Sequence, residues 1–292
     1  LASLMVATLG WRSVFLAVLV LLPPAWRWVD PALRDLHGDA VVAPDARHRL
    51  IAATLAAAAA LILHLLGQQT APRPWLIGAV VTVLAASSAH LLPAGTLVAR
   101  AGLPTVIALR GLLAAAFFTA EAFLPLWLQQ RQGWSVLAAG LAISAGALCW
   151  SAGSQTQARL TGVPRVRILR AGLIVVALGL TAITVSATSS LSGALSVVAW
   201  LACGFGIGLS FPSLSVRLLE LSAVNEQGRN SAALQLADAL ATTVALALAG
   251  LVFAPLHRLA PTYAFSAVFA LASSLIVLSA ILAPRAWRIG VR

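Results

Sequence analysis

The sequence has no lysine, a single tyrosine and a single methionine, and charged side chains make up only 9% of its 292 residues. A water-soluble domain carries nearer a quarter charged residues. A chain this poor in charge cannot cover an aqueous surface of its size. Its two cysteines, Cys149 and Cys203, fall inside apolar runs without metal-ligand spacing, and they read as small buried hydrophobes. There is no Walker loop, no His-Glu-x-x-His pair and no polar stretch long enough to build a soluble catalytic domain. Enzymatic chemistry is therefore not expected.

What fills the space is apolar. Hydrophobic residues amount to 61% of the chain, and they come in blocks near 11–27, 49–67, 75–93, 104–128, 135–156, 169–188, 192–213, 230–254 and 262–283, with Leu1 to Leu9 resembling the tail of one more. About 20 apolar residues span the hydrocarbon core as a helix. A membrane barrel would instead need segments of about ten residues with alternating polarity. Leu50 to Leu66 and Leu236 to Val252 are continuous and rich in alanine and leucine, which favour helix. The predicted fold class is all-α, a polytopic transmembrane helical bundle. The chain opens on Leu1 within an apolar run, with no signal peptide, and is expected to be an N-terminally truncated fragment.

The net charge of +11 comes entirely from arginine on the basic side. The arginines lie between apolar blocks, so a nucleic-acid partner is not expected. Alternate loops differ sharply. One set holds Arg27, Arg34, Arg47, Arg49, Arg100, Arg159, Arg165, Arg167, Arg170, Arg217, Arg229, Arg285, Arg288 and Arg292. The other holds Arg12, Arg73, Arg131 and Arg258. Cytoplasmic loops carry the excess of basic residues, so the first set and the C-terminus are expected in the cytoplasm. Trp11, Trp26, Trp28, Trp75, Trp134 and Trp287 stand at block ends, where amphipathic rings favour the interface, with Trp127 near one. Trp150 and Trp200 lie deeper and read as packing residues.

Three passages resemble the major facilitator superfamily, and within it the fourteen-helix drug:proton antiporter group. Gly10-Trp11-Arg12-Ser13-Val14-Phe15 is similar to the turn between that group's fifth and sixth helices. Phe123 to Gln130, Gly133-Trp134-Ser135 and Ala139-Gly140-Leu141 resemble the first helix of its C-terminal half, the outer loop and the start of the next helix. Gly204-Phe205-Gly206-Ile207-Gly208-Leu209-Ser210-Phe211-Pro212, with Gly228 beyond, is the third. The resemblance implies four parts: 1–27, the end of an N-terminal bundle; 28–48, a cytoplasmic loop; 49–93, two extra central helices; and 94–292, a six-helix bundle built as an inverted repeat of three and three. The family's Gly-rich basic loop corresponds to Gly153 to Arg167, where Gln157 and Ala158 stand near the position of its acid.

Ionisable groups inside the bilayer are costly and mark pathways. Glu121 lies inside block 104–128, with Arg110 eleven residues earlier on the same helical face. A carboxyl in such a place is a candidate proton or cation site, or else a structural group bonded to a neighbouring helix. Ser231, Gln235, Asp238 and Thr242 recur at i, i+4, i+7 and i+11 as one polar stripe on an Ala- and Leu-rich helix, the pattern expected of a water-filled pathway. The family fold would set this helix beside the one bearing Arg110, which predicts a salt bridge or gating pair between Arg110 and Asp238. Ser144, Ser151 and Gln155 form a weaker polar face that helix carbonyls can satisfy, and His64 and His90 read as interface packing. Gly204 and Gly208 are four apart and lack the strand and acid of a dinucleotide fold, so they are expected to serve helix packing. Pro125 and Pro212 are expected to kink or end their helices.

The function expected is proton-coupled efflux of lipophilic or cationic compounds by alternating access, with the proton gradient as energy source and no cofactor. Partners would be the bilayer, a small-molecule substrate and protons. The setting would be a plasma (inner) membrane, and the state a monomer. A metabolite or lipid facilitator or symporter of the same fold is the alternative, as is a truncated, non-transporting membrane protein. A lipid-modifying membrane enzyme would need clustered catalytic side chains near an interface, and none is present. On this topology, a fluorescent protein fused after Arg292 should fluoresce in intact bacteria, and a periplasmic phosphatase fused after Gly133 should be active. The opposite pair of results would invert the orientation.

Overall fold

A computed structural model of the chain describes residues 5, 8–10, 12–34, 46–67, 73–189 and 192–288. They are helical, with no strand among them. Where no water is at hand, a helix satisfies its own backbone groups within one segment. The helices are α1 (Arg12–Arg34), α2 (Ala46–Gly67), α3 (Pro74–Leu91), α4 (Leu103–Gln132), α5 (Val136–Arg159), α6 (Arg165–Thr188), α7 (Gly193–Leu221), α8 (Gln227–Leu259) and α9 (Pro261–Leu282), with 3-10 turns at Val224–Glu226 and Ala283–Trp287. Seven of them, α2 and α4 to α9, are long and apolar enough to cross a membrane, while the apolar part of α3, Trp75–Leu91, is shorter. The protein is a membrane-embedded helical bundle.

The boundaries follow local chemistry. Pro74 and Pro261 stand where a missing N–H costs nothing. Ser135 Oγ accepts from the Ala138 N–H at 3.1 Å and caps α5, and Ser192 Oγ accepts from Ala194 N–H at 3.2 Å and caps α7. Gly133 ends α4 in the left-handed region at φ 69°. Two expectations are corrected. The segment 28–48 is not one loop: α1 runs on to Arg34, with Pro31 inside it, and α2 begins at Ala46; Asp35, Asp39 and Asp45 lie outside the described residues. Pro125 and Pro212, expected to kink or end their helices, sit inside α4 and α7. Trp127, placed near an interface from sequence, is buried at 2% exposure in the core of the bundle.

The six helices from α4 onward pack in related pairs. α4 lies on α8 as α7 lies on α5; α9 lies on α4 as α6 lies on α7; α4 meets α7, and α6 meets α9. Exchanging the triplet α4–α6 for α7–α9 turns α4–α8 into α7–α5 and α9–α4 into α6–α7, and returns α4–α7 and α6–α9 to themselves.

Helix ends show which segments share a side. Gly102 N–H donates to the Arg285 carbonyl at 3.0 Å, Arg217 Nε donates to the Ala286 carbonyl at 3.3 Å, and Arg165 pairs with Glu220 at 3.3 Å. Arg49 Nη2 donates to the Leu91 carbonyl at 3.4 Å. The start of α2 and α4 therefore lies with the ends of α3, α7 and α9, and this end carries most of the described arginines. At the opposite end Gln132 Oε1 accepts from Gly193 N–H at 3.0 Å.

Close packing centres on α7, and glycine permits it on both flanks. Toward α5, a methyl group on Gly204 would overlap the Gly146 carbonyl, and one on Gly208 would overlap the Trp150 carbonyl. Toward α6, a methyl on Gly206 would stand 2.7 Å from the Gly172 carbonyl. Pro212 supplies no N–H to the Gly208 carbonyl one turn earlier, and Ser154 of α5 donates to that carbonyl instead at 3.3 Å. Outside the six, α2 pairs with α3 and lies on α8 through Ala52, Ala56, Ala59, Leu63 and Leu66, with Ala247 opposite.

Gly204→Leu should lower stability by about 1–3 kcal/mol or more through overpacking. Gly228→Leu, which meets open space, should stay within about 0.5 kcal/mol of wild type. Denaturant titration of the detergent-solubilised protein measures both, and equal effects would contradict the packing described.

Candidate functional site

The site is built where α4, α7 and α8 meet, on the arginine-rich side of the bundle. A Cβ on Gly111 of α4 would lie 2.9 Å from the Ala237 carbonyl of α8, so the two backbones pass close. The residues next in sequence, Arg110 and Asp238, are thereby brought face to face. Arg110 Nε donates to Asp238 Oδ2 at 2.9 Å and to Oδ1 at 3.1 Å. Arg110 Nη1 reaches α7, donating to Ser215 Oγ at 3.2 Å and to the Phe211 carbonyl at 3.3 Å. The guanidinium carbon sits 3.7 Å over the Phe211 ring, a cation–π contact. The side chains are only 10% and 16% exposed. One arginine thus ties three helices.

The ring of Phe211 continues into an aromatic group. Trp150 stands edge-on to Phe211 at 5.2 Å and to Phe117 at 5.4 Å, and Phe117 stacks on Trp200 at 4.6 Å. Gly146 makes room for the Trp200 indole, since a methyl there would overlap it. Below the ion pair, a cavity of about 300 Å3 opens between α7 and α8, with Ser215, Ser231 and Gln235 as its polar lining. Among the described residues no three His, Cys, Asp or Glu side chains converge.

The expected residues therefore divide. Arg110 and Asp238 meet. Ser231 and Gln235 line the adjoining cavity, and Thr242, half-buried one turn beyond Asp238, lines neither cavity of the bundle. Glu121 is half-buried about 16 Å along α4 from Arg110. It has no hydrogen bond or ion pair to any described residue. Gly204 and Gly208 lie against α5. Ser144 Oγ donates to its own helix at Gly140, 2.9 Å away, and His90 Nδ1 is 2.9 Å from the Ala86 carbonyl.

Ser215 and Phe117 were not singled out from sequence, Trp150 was read only as a packing residue, and Phe211 stood only within a passage of family resemblance. An aromatic residue in an apolar run looks like filler. The one available signal was that Phe211 and Ser215 are one turn apart on a helix also expected to pack closely. No family model and no curated protein matches the chain.

A buried ion pair gains little over a well-packed apolar pair, but losing one partner leaves an uncompensated charge costing about 3–5 kcal/mol. Asp238→Leu alone, or Arg110→Met alone, should lower stability by about that amount. Arg110→Met with Asp238→Leu should return to near wild type. Thermal unfolding of the two single variants and the double variant in detergent would read the coupling, and additive losses would mean that the pair is not coupled in solution.

Proposed function

We propose that this chain acts as a secondary transporter of the major facilitator type, exporting lipophilic or cationic compounds at the expense of a proton gradient. The observation that carries the proposal is the buried Arg110–Asp238 pair, which locks α4, α7 and α8 together beside a cavity bordered by Ser215, Ser231 and Gln235. Protonation of Asp238 would remove its charge and loosen the three helices at that end. Neutralising the carboxylate would thus open one side of a pathway, which is the coupling that alternating access needs. The exchange relation between α4–α6 and α7–α9 also supports it, because transporters of this kind are built from repeated triplets that rock against one another around a midplane site. Glu121, half-buried and unpaired among the described residues, is a second proton or cation site further along the same helix. On this proposal the arginine-rich end and the C-terminus face the cytoplasm.

The test uses everted membrane vesicles from cells producing the full protein, energised to an acidic interior and given a fluorescent lipophilic cation. Uptake should collapse with a protonophore. It should fall at least about tenfold in Asp238→Asn and in Glu121→Gln, with the Arg110→Gln/Asp238→Asn pair recovering part of the loss. Uptake indifferent to the protonophore would assign a facilitator, and uptake no different from vesicles lacking the protein would end the transport proposal.

A further inference from the structure

A second cavity lies apart from the ion pair. It is a cleft of about 550 Å3 between α3, the 92–102 turn, α4, α8 and α9. Leu84, Leu112, Leu240, Val244, Leu275 and Leu278 form most of its walls. Two hydroxyls border it, and both are turned to their own backbone. Ser88 Oγ donates to the Leu84 carbonyl at 2.7 Å, and Thr96 Oγ1 donates to the Pro93 carbonyl at 2.7 Å. A polar solute would leave its own groups unpaired along these walls, whereas a hydrocarbon chain would lose nothing.

Length and direction narrow the occupant. The walls extend from Ala237 to Leu248 on α8 and from Leu271 to Leu282 on α9. Eleven residues of helix rise about 16 Å, close to half of a hydrocarbon core about 30 Å thick. The cleft is therefore about one leaflet deep. It finishes at the arginine-rich end, beside Leu97, Val98 and Leu282. The exposed side chains of Leu97 and Val98 suit the edge of the hydrocarbon. Arg100 follows Ala99, which lines the cleft, and Arg285 lies one turn beyond Leu282. The bond from Gly102 N–H to the Arg285 carbonyl holds the two together. Arg49 reaches the same rim through the Leu91 carbonyl. All three arginines are exposed, and none is ion-paired with a described carboxylate.

We infer that this cleft is a binding site for one anionic phospholipid of the leaflet at the arginine-rich end, with an acyl chain between α3, α4, α8 and α9 and its phosphate at the rim formed by Arg49, Arg100 and Arg285. A guanidinium pairs with phosphate in a two-pronged geometry, and basic pockets between membrane helices favour acidic headgroups. Nothing in this site depends on transport. Its occupant would brace the α2–α3 pair against the six-helix bundle.

Native mass spectrometry of the intact protein in a mild detergent, titrated with phosphatidylglycerol or phosphatidylcholine, tests the site. Wild type should retain one phosphatidylglycerol with a preference of about a hundredfold over phosphatidylcholine, the order expected from three basic contacts. Arg100→Gln with Arg285→Gln should reduce that preference to about fivefold, the share Arg49 alone would leave, with thermal unfolding in lipid-free detergent unchanged. Ala85→Trp, which fills the cleft from the exposed side of α3, should abolish retention of both lipids. Equal retention of the two lipids by wild type, or a preference undiminished by loss of both arginines, would overturn the headgroup assignment. Undiminished retention in Ala85→Trp would overturn the cleft as the site. Should Ala85→Trp fail to fold, the arginine pair still decides.

Discussion

Close backbone contact along α7 is the constraint on which the remaining structure depends. Lipid tails are as apolar as leucine, so helices within a bilayer gain little by hiding hydrophobic surface from one another, and association rests on tight van der Waals contact. Gly204 and Gly208 on one flank of α7 and Gly206 on the other let α5 and α6 approach to distances that a methyl group would forbid. With α7 fixed this way, its far end carries Phe211 and Ser215 to a defined place, and Arg110 finds its second set of partners there.

The ion pair costs more to bury than a pair of leucines, and specificity is what it adds. Arg110 is satisfied only when α4, α7 and α8 hold one register, since its bonds go to Asp238, Ser215 and the Phe211 carbonyl together. Slipping any helix by one residue breaks several charge-assisted bonds at once. A site of this kind suits a two-state device. A single proton on the carboxylate would remove the attraction between it and Arg110.

The two cavities divide the labour of α8. Toward α7 the helix presents Ser231, Gln235 and Asp238; toward α3 and α9 it presents alanine, leucine and valine. The polar stripe was visible as a spacing of four and three. The apolar face was invisible as a site, because alanine and leucine mark core, lipid contact and cleft alike. Glu121 shows the converse. Its burial was legible from its place in an apolar run, but its lack of a described partner could be learned only with its neighbours in position.

The sequence alone determined the solvent and the secondary structure. Scarce charge, no lysine and long apolar runs leave the bilayer as the medium, and the bilayer leaves helices built of alanine and leucine as the economical way to cross it. Arginines in alternate loops likewise set the two ends apart before any helix is placed. Tertiary structure decided which helices touch, that α1 continues to Arg34, that the Arg110 side chain bridges three helices through Phe211 and Ser215, and that the ends of α3 and α9 close an apolar cleft beneath arginines. The reason is physical. Hydropathy and periodicity act within one segment, whereas glycine-to-carbonyl contacts and ion pairs join residues such as Arg110 and Asp238 that lie 128 positions apart.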